Sequence, residues 1–77
     1  MTQIKLDLRG LRCPMPIVRL SQQIKKVNEG DRIIVEATDA AFEPDLNAWA
    51  RQLGHRVVEF SGGEVFRAVV EKGQRHG

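Results

Sequence analysis

Residues 4 to 20 read Ile4-Lys5-Leu6-Asp7-Leu8-Arg9-Gly10-Leu11-Arg12-Cys13-Pro14-Met15-Pro16-Ile17-Val18-Arg19-Leu20, and two periodicities meet inside them. Ile4, Leu6 and Leu8 alternate with Lys5, Asp7 and Arg9, the pattern of a strand with one buried and one wet face. This places a first strand over residues 3 to 8. Past Cys13 the apolar residues recur at Ile17, Leu20, Ile24 and Val27, one stripe on a helix of about 3.6 residues per turn. Arg19, Gln22, Gln23, Lys25 and Lys26 fall outside that stripe, and Gly30 supplies the stop. Between strand and helix, Arg9-Gly10-Leu11-Arg12 is a short connection in which Gly10 is free to take a positive φ.

The same reading extends downstream. Ile33, Val35 and Ala37 alternate with Arg32, Ile34 and Glu36, a second strand ending at Thr38-Asp39. Pro44 disfavours helix at Glu43 but fits the first turn of a second helix or the residue before it. Glu43 and Asp45 read as acids complementing the helix dipole, not as a catalytic dyad. Leu46, Trp49, Ala50 and Leu53 form its apolar stripe, which assigns Trp49 to the core, and Gly54 closes it. Val57, Val58 and Phe60 form a third strand, Ser61-Gly62-Gly63-Glu64 a hairpin turn, and residues 65–70 the returning strand. The order β-α-β-α-β-β predicts a two-layer α/β sandwich: a four-stranded mixed sheet with both helices on one face, because successive right-handed crossovers in one direction land on the same side. The other face then meets water, in keeping with Arg67 in the middle of the fourth strand. The expected organisation is a single domain over residues 1–77, with an ordered core over 3–71 and a frayed tail over 72–77.

With 77 residues, one core must do everything, and no internal staple is available. Cys13 has no second cysteine to pair with, and His55 and His76 stand far apart, so neither a disulfide, a structural zinc site nor any other metal or cofactor is expected. The N-terminus does not read as a secretory leader and no apolar run approaches roughly 20 residues, so no membrane association is expected and the expected location is the cytoplasm. There a lone cysteine stays a thiol, available for chemistry. Residues 1–30 carry six cations (Lys5, Arg9, Arg12, Arg19, Lys25, Lys26) against two anions (Asp7, Glu29), a basic surface suited to an acidic protein partner or a nucleic acid. No basic run is interleaved with aromatics, which argues against direct nucleic-acid binding.

The run Cys13-Pro14-Met15-Pro16 is where chemistry concentrates. With Cys13 at the N-cap, Pro14 and Pro16 fall in the first turn, where the missing N–H groups cost nothing and a fixed φ stiffens the turn. The free N–H groups of Met15 and Ile17 could then point at the sulfur, the positive end of the helix dipole would favour an anion there, and Arg9 and Arg12 would add to it. Each influence favours thiolate over thiol, the form that attacks another sulfur. Gly10 keeps the approach open. Other nucleophile schemes lack parts: nothing brings His55 to Cys13 as a base, and neither Ser21 nor Ser61 lies in a nucleophile-elbow context.

The stretch Leu6-Asp7-Leu8-Arg9-Gly10-Leu11-Arg12-Cys13-Pro14-Met15-Pro16 closely resembles the opening of the TusA/SirA-like family of small sulfur-carrier proteins. Gly30-Asp31, Ala37-Thr38-Asp39, Ala48-Trp49 and Leu53-Gly54-His55 also resemble that family's landmarks, so the likeness covers nearly the whole chain. The resemblance implies a sulfurtransferase in which Cys13 receives sulfane sulfur as a persulfide from a donor protein, such as a cysteine desulfurase or rhodanese, and passes it to an acceptor. It implies a place in tRNA thiolation, cofactor synthesis or sulfur oxidation without selecting among them. Pro14, Pro16, Gly10, Arg9 and Arg12 are the expected supporting residues. Some members carry a second cysteine where this chain has Ala50, which leaves a mixed disulfide with a partner as the only kind open to Cys13. Two rival readings are a regulatory or binding module with a redox-sensitive thiol and a nucleic-acid-binding domain using the basic half.

Overall fold

The alternating residues at the start of the chain become the edge strand of a four-stranded sheet. A computed structural model describes residues 3–73, so His76 and most of the expected tail lie outside the described residues. The elements are β1 (Gln3–Leu8), α1 (Met15–Ile24), β2 (Arg32–Ala37), α2 (Phe42–Leu53), β3 (Arg56–Ser61) and β4 (Phe66–Glu71). Their order in the sheet is β1-β2-β4-β3. β1 runs parallel to β2 in register from Gln3 opposite Arg32 to Leu8 opposite Ala37. β4 is antiparallel to both β2 and β3, and the β3–β4 ladder is interrupted between Val57 and Glu59.

Both crossovers step in one direction, from β1 to β2 and from β2 over β4 to β3, and both helices pack on the same face. Leu20 and Ile24 from α1 and Phe42, Leu46, Trp49 and Ala50 from α2 meet Leu8, Ile33, Val35, Ala37, Ala68 and Val70 from the strands in one buried cluster. Each large aliphatic side chain buried in this way contributes about 1.5–3 kcal/mol. The helices are tied to each other where Trp49 Nε1 donates to Ser21 Oγ at 2.9 Å, so the indole is both core and polar bridge. On the open face Arg67 is exposed as expected, and Arg32 pairs with Glu71 at 3.2 Å.

Several boundaries differ from the sequence reading: Ser61 closes β3 and Val65 lies in the turn, so that β4 spans Phe66–Glu71. α1 stops at Ile24, where Lys26 N–H turns back to the carbonyl of Gln23 at 3.0 Å, and Val27 packs against the core from the loop. α2 begins at Phe42, which makes Glu43 helical and seats Pro44 in the first turn, where its ring meets no earlier helical carbonyl. Lys72 and Gly73 do not fray. Lys72 N–H donates to the carbonyl of Asp31 at 2.9 Å, its carbonyl accepts from Gly30, and its ammonium reaches the carbonyl of Val27 at 2.8 Å. Gly73 N–H donates to His55 Nδ1 at 3.1 Å.

Candidate functional site

Because β1 and β2 are parallel and end level with each other, the connections that follow them leave the same edge of the sheet. The connection 9–14 leads into α1 and the connection 38–41 leads into α2, and a hydrogen bond from Gly10 N–H to Thr38 Oγ1 at 2.9 Å joins the two. Gly10 has φ 83°, which an L side chain reaches only with strain, yet a Cβ there would meet nothing within 4 Å. The glycine is therefore needed for conformation, not to keep space open.

Cys13 lies one residue before the cap of α1, a correction to the expected register: Pro14 is the N-cap and Met15 the first helical residue. The Cys13–Pro14 peptide is cis. The Met15 N–H is occupied by the carbonyl of Arg12 at 2.8 Å and is not free to reach the sulfur, and no side chain caps the helix. Pro14 is exposed, whereas Pro16 is fully buried under the first turn and so belongs to the packing as well as to the helix start.

The Cys13 thiol is exposed and donates to Asp45 Oδ2 at 3.2 Å. Asp45 occupies the first turn of α2, as its expected role at the helix start requires, and reaches across to the sulfur from there. Asp39 closes the group from the connection before α2, with Oδ2 buried and unpartnered. The hydrogen bond to Asp45 pushes the Cys13 pKa up, with loss of solvent and the negative charges of Asp45 and Asp39 acting in the same sense. This setting favours the thiol, the opposite of the anion-favouring helix start that the prolines suggested. Neither Arg9 nor Arg12 is among the groups that act on the sulfur. Arg9 folds back instead as a two-pronged pair with Asp7, at 2.9 and 3.0 Å, and the guanidinium holds the Asp7 carboxyl at about 2. Arg12 is exposed, as are the apolar residues Met15 and Val18.

Cys13, Asp39 and Asp45 each bring one potential ligand atom within 4.8 Å of the others, and they are the only such grouping among the described residues. No histidine contributes to this group. His55 belongs to the other end of α2, its ring tilted against that of Trp49 with centroids 5.0 Å apart. Among the described residues no helix is long and apolar enough to cross a membrane.

Asp39 and Asp45 are the site residues that sequence reasoning missed. Asp45 is 32 residues from Cys13, and only the parallel pairing of β1 with β2 brings the two connections together.

A family model described as "Sulfurtransferase TusA" matches residues 4–72. The chain is 39% identical over 74 residues to "Putative sulfur carrier protein YrkF" of Bacillus subtilis (strain 168), covering 95% of this chain and 40% of that protein. It is 38% identical over 69 residues to "Putative sulfur carrier protein YrkI" of the same organism, covering 88% of this chain and 92% of that one. It is also 36% identical over 55 residues to "Sulfur carrier protein TusA" of Allochromatium vinosum, covering 71% and 72% of the two chains. The chain thus spans less than half of YrkF but most of YrkI.

Proposed function

This chain belongs to the sulfurtransferase TusA family, and from that premise we propose that it is a sulfur carrier, acting as one domain, whose Cys13 holds sulfane sulfur as a persulfide between a donor and an acceptor protein. The observation that carries the reading is the placement of the only cysteine: exposed at the mouth of a connection, immediately before a proline-stiffened helix start, where another protein's sulfur can reach it. Cys13 attacks the outer sulfur of a donor persulfide, the donor cysteine leaves, and an acceptor later takes the outer sulfur and restores the thiol. The carrier is used stoichiometrically, one sulfur per visit, in the cytoplasm.

Gly10, Pro14 and Pro16 serve by fixing the path of the chain around the sulfur. Arg12 and Arg19, with Met15 and Val18 between them in the sequence, offer an exposed basic and apolar surface for acidic donor and acceptor proteins. Arg9 has a smaller part in docking, because its charge is paired with Asp7.

Mass spectrometry after incubation with a sulfane-sulfur donor tests the assignment: one sulfur atom is added to the wild-type chain, labile to reductant and mapped to Cys13. Cys13→Ser stays folded, since its hydroxyl can still donate to Asp45, and takes up no sulfur. Sulfur loading on the serine variant would refute the role of Cys13.

A further inference from the structure

We propose that Asp45 is the positioning residue of sulfur acceptance: it holds the unloaded Cys13 as an S–H donor, so that Cys13 must give up this proton before its thiolate attacks the donor's outer sulfur, and the donor's leaving thiolate takes up a proton from solvent in exchange. The inference rests on the reading of Cys13 as the sulfur-bearing atom and extends it to how that atom is kept quiet. Three observations carry it. The thiol donates to Asp45 Oδ2 at 3.2 Å. Asp45 is fixed in the first turn of α2, where its own N–H donates to the carbonyl of Ala41 at 3.1 Å. Asp39 Oδ2 is buried beside them with no hydrogen-bond partner.

The charged groups facing the sulfur from the packed elements are Asp45 from α2 and Asp39 from the connection after β2, and both are acids. On the cysteine's own connection Arg9 is turned away to Asp7. A thiolate in this setting meets two like charges, whereas a thiol meets an acceptor, so the protonated form is the resting one.

Sulfur acceptance then balances without oxidant or reductant: Cys13–SH + R–S–SH → Cys13–S–SH + R–SH. The bond from Cys13 to the outer sulfur forms, the bond from that sulfur to the donor cysteine breaks with its electron pair on the donor, and the proton that Cys13 gives up is matched by the one that the donor thiolate takes from solvent. Cys13 has now lost the S–H that bonded Asp45. Once the terminal sulfur ionises, Asp45 and Asp39 repel it, which turns the carried sulfur toward solvent and an acceptor. One carboxylate thereby favours the empty site inward and the loaded site outward.

The test is the pH dependence of Cys13 alkylation by iodoacetamide in the full chain, for wild type, Asp45→Asn and Asp45→Glu, with sulfur loading measured on the same samples. The Asp45→Asn profile moves to lower pH, and at neutral pH the variant alkylates about fivefold faster. That figure is the solvent-screened effect of one unit charge at about 4 Å. Asp45→Glu keeps a carboxylate and returns the profile toward wild type, which a merely structural role would not do. An Asp45→Asn profile that overlays wild type overturns the proposal. Should Asp45→Asn fail to fold, Asp39→Asn decides: a shift in the same direction supports the proposal and no shift overturns it. Shifted alkylation in chains that never load sulfur would support the role of Asp45 while refuting the carrier function, and loading with unshifted alkylation would do the reverse.

Discussion

Replacing Pro16 by alanine separates two accounts of the Cys-Pro-Met-Pro run. If the ring only stiffens the start of α1, the loss is the extra freedom of the unfolded chain, about 0.4–1 kcal/mol. Pro16 is fully buried, however, and alanine also removes two ring carbons from the core. At about 0.8 kcal/mol per buried carbon, and with a further cost for the space left behind, the total rises to about 2–3 kcal/mol. No hydrogen bond changes sign in this sum, because a residue in the first turn has no intrahelical acceptor for its N–H. For a domain of this size the expected fall in Tm is roughly 10–20 °C. Urea unfolding followed by Trp49 fluorescence should show a midpoint lowered by about 2–3 M at an unchanged slope of about 1 kcal/mol per M. Val18→Ala on the exposed side of α1 serves as the control and should stay within about 0.5 kcal/mol of wild type. A loss below about 1 kcal/mol for Pro16→Ala would show that burial of the ring contributes nothing, leaving only the unfolded-chain account.

His55 accepts the Gly73 N–H through Nδ1, and burial, helped by the charge of Lys72, holds its pKa below the usual 6.5. The folded state binds this proton less readily than the unfolded chain, so the stabilisation is complete above about pH 6.5 and is lost as pH falls through the folded value. Wild-type Tm should therefore fall between about pH 7 and pH 5 more steeply than that of His55→Gln, which can accept without titrating; parallel curves would refute this. Gly10→Ala should cost about 1–2 kcal/mol in denaturant titration, entirely from its positive φ because no atom stands in the way of a Cβ, and Gly10→Asn should recover part of it. Equal losses for alanine and asparagine would point to a clash instead.

The layers were legible because their signals are local. Ile4, Leu6 and Leu8 on β1, Leu20 and Ile24 on α1, and Leu46, Trp49 and Ala50 on α2 declare their buried faces within a few residues, and each lies in or against the core. The cap register slipped by one residue because two prolines spaced as Pro14 and Pro16 fit both the N-cap with the second turn position and the first with the third; the Met15 N–H to Arg12 carbonyl bond decides between them. The tether at Lys72 and Gly73 was hidden for a different reason. Its partners Asp31, Val27 and His55 lie 18 to 45 residues away, and a short polar segment near a chain end carries no periodicity to announce them. Asp45 was legible as a helix-start acid, which it is, and nothing in its own neighbourhood announced a second duty toward the sulfur.

That second duty ties reactivity to the state of the whole chain. The contact between Cys13 and Asp45 bridges 32 residues and depends on β1 lying beside β2, so it is absent from an unravelled chain. A nascent or damaged copy would expose an unguarded thiol, quicker to react with stray electrophiles than the mature protein. Slower reaction of the cysteine with such reagents is then a signature of correct assembly, and a batch of carrier that alkylates too readily announces its misfolded fraction before any sulfur is offered to it.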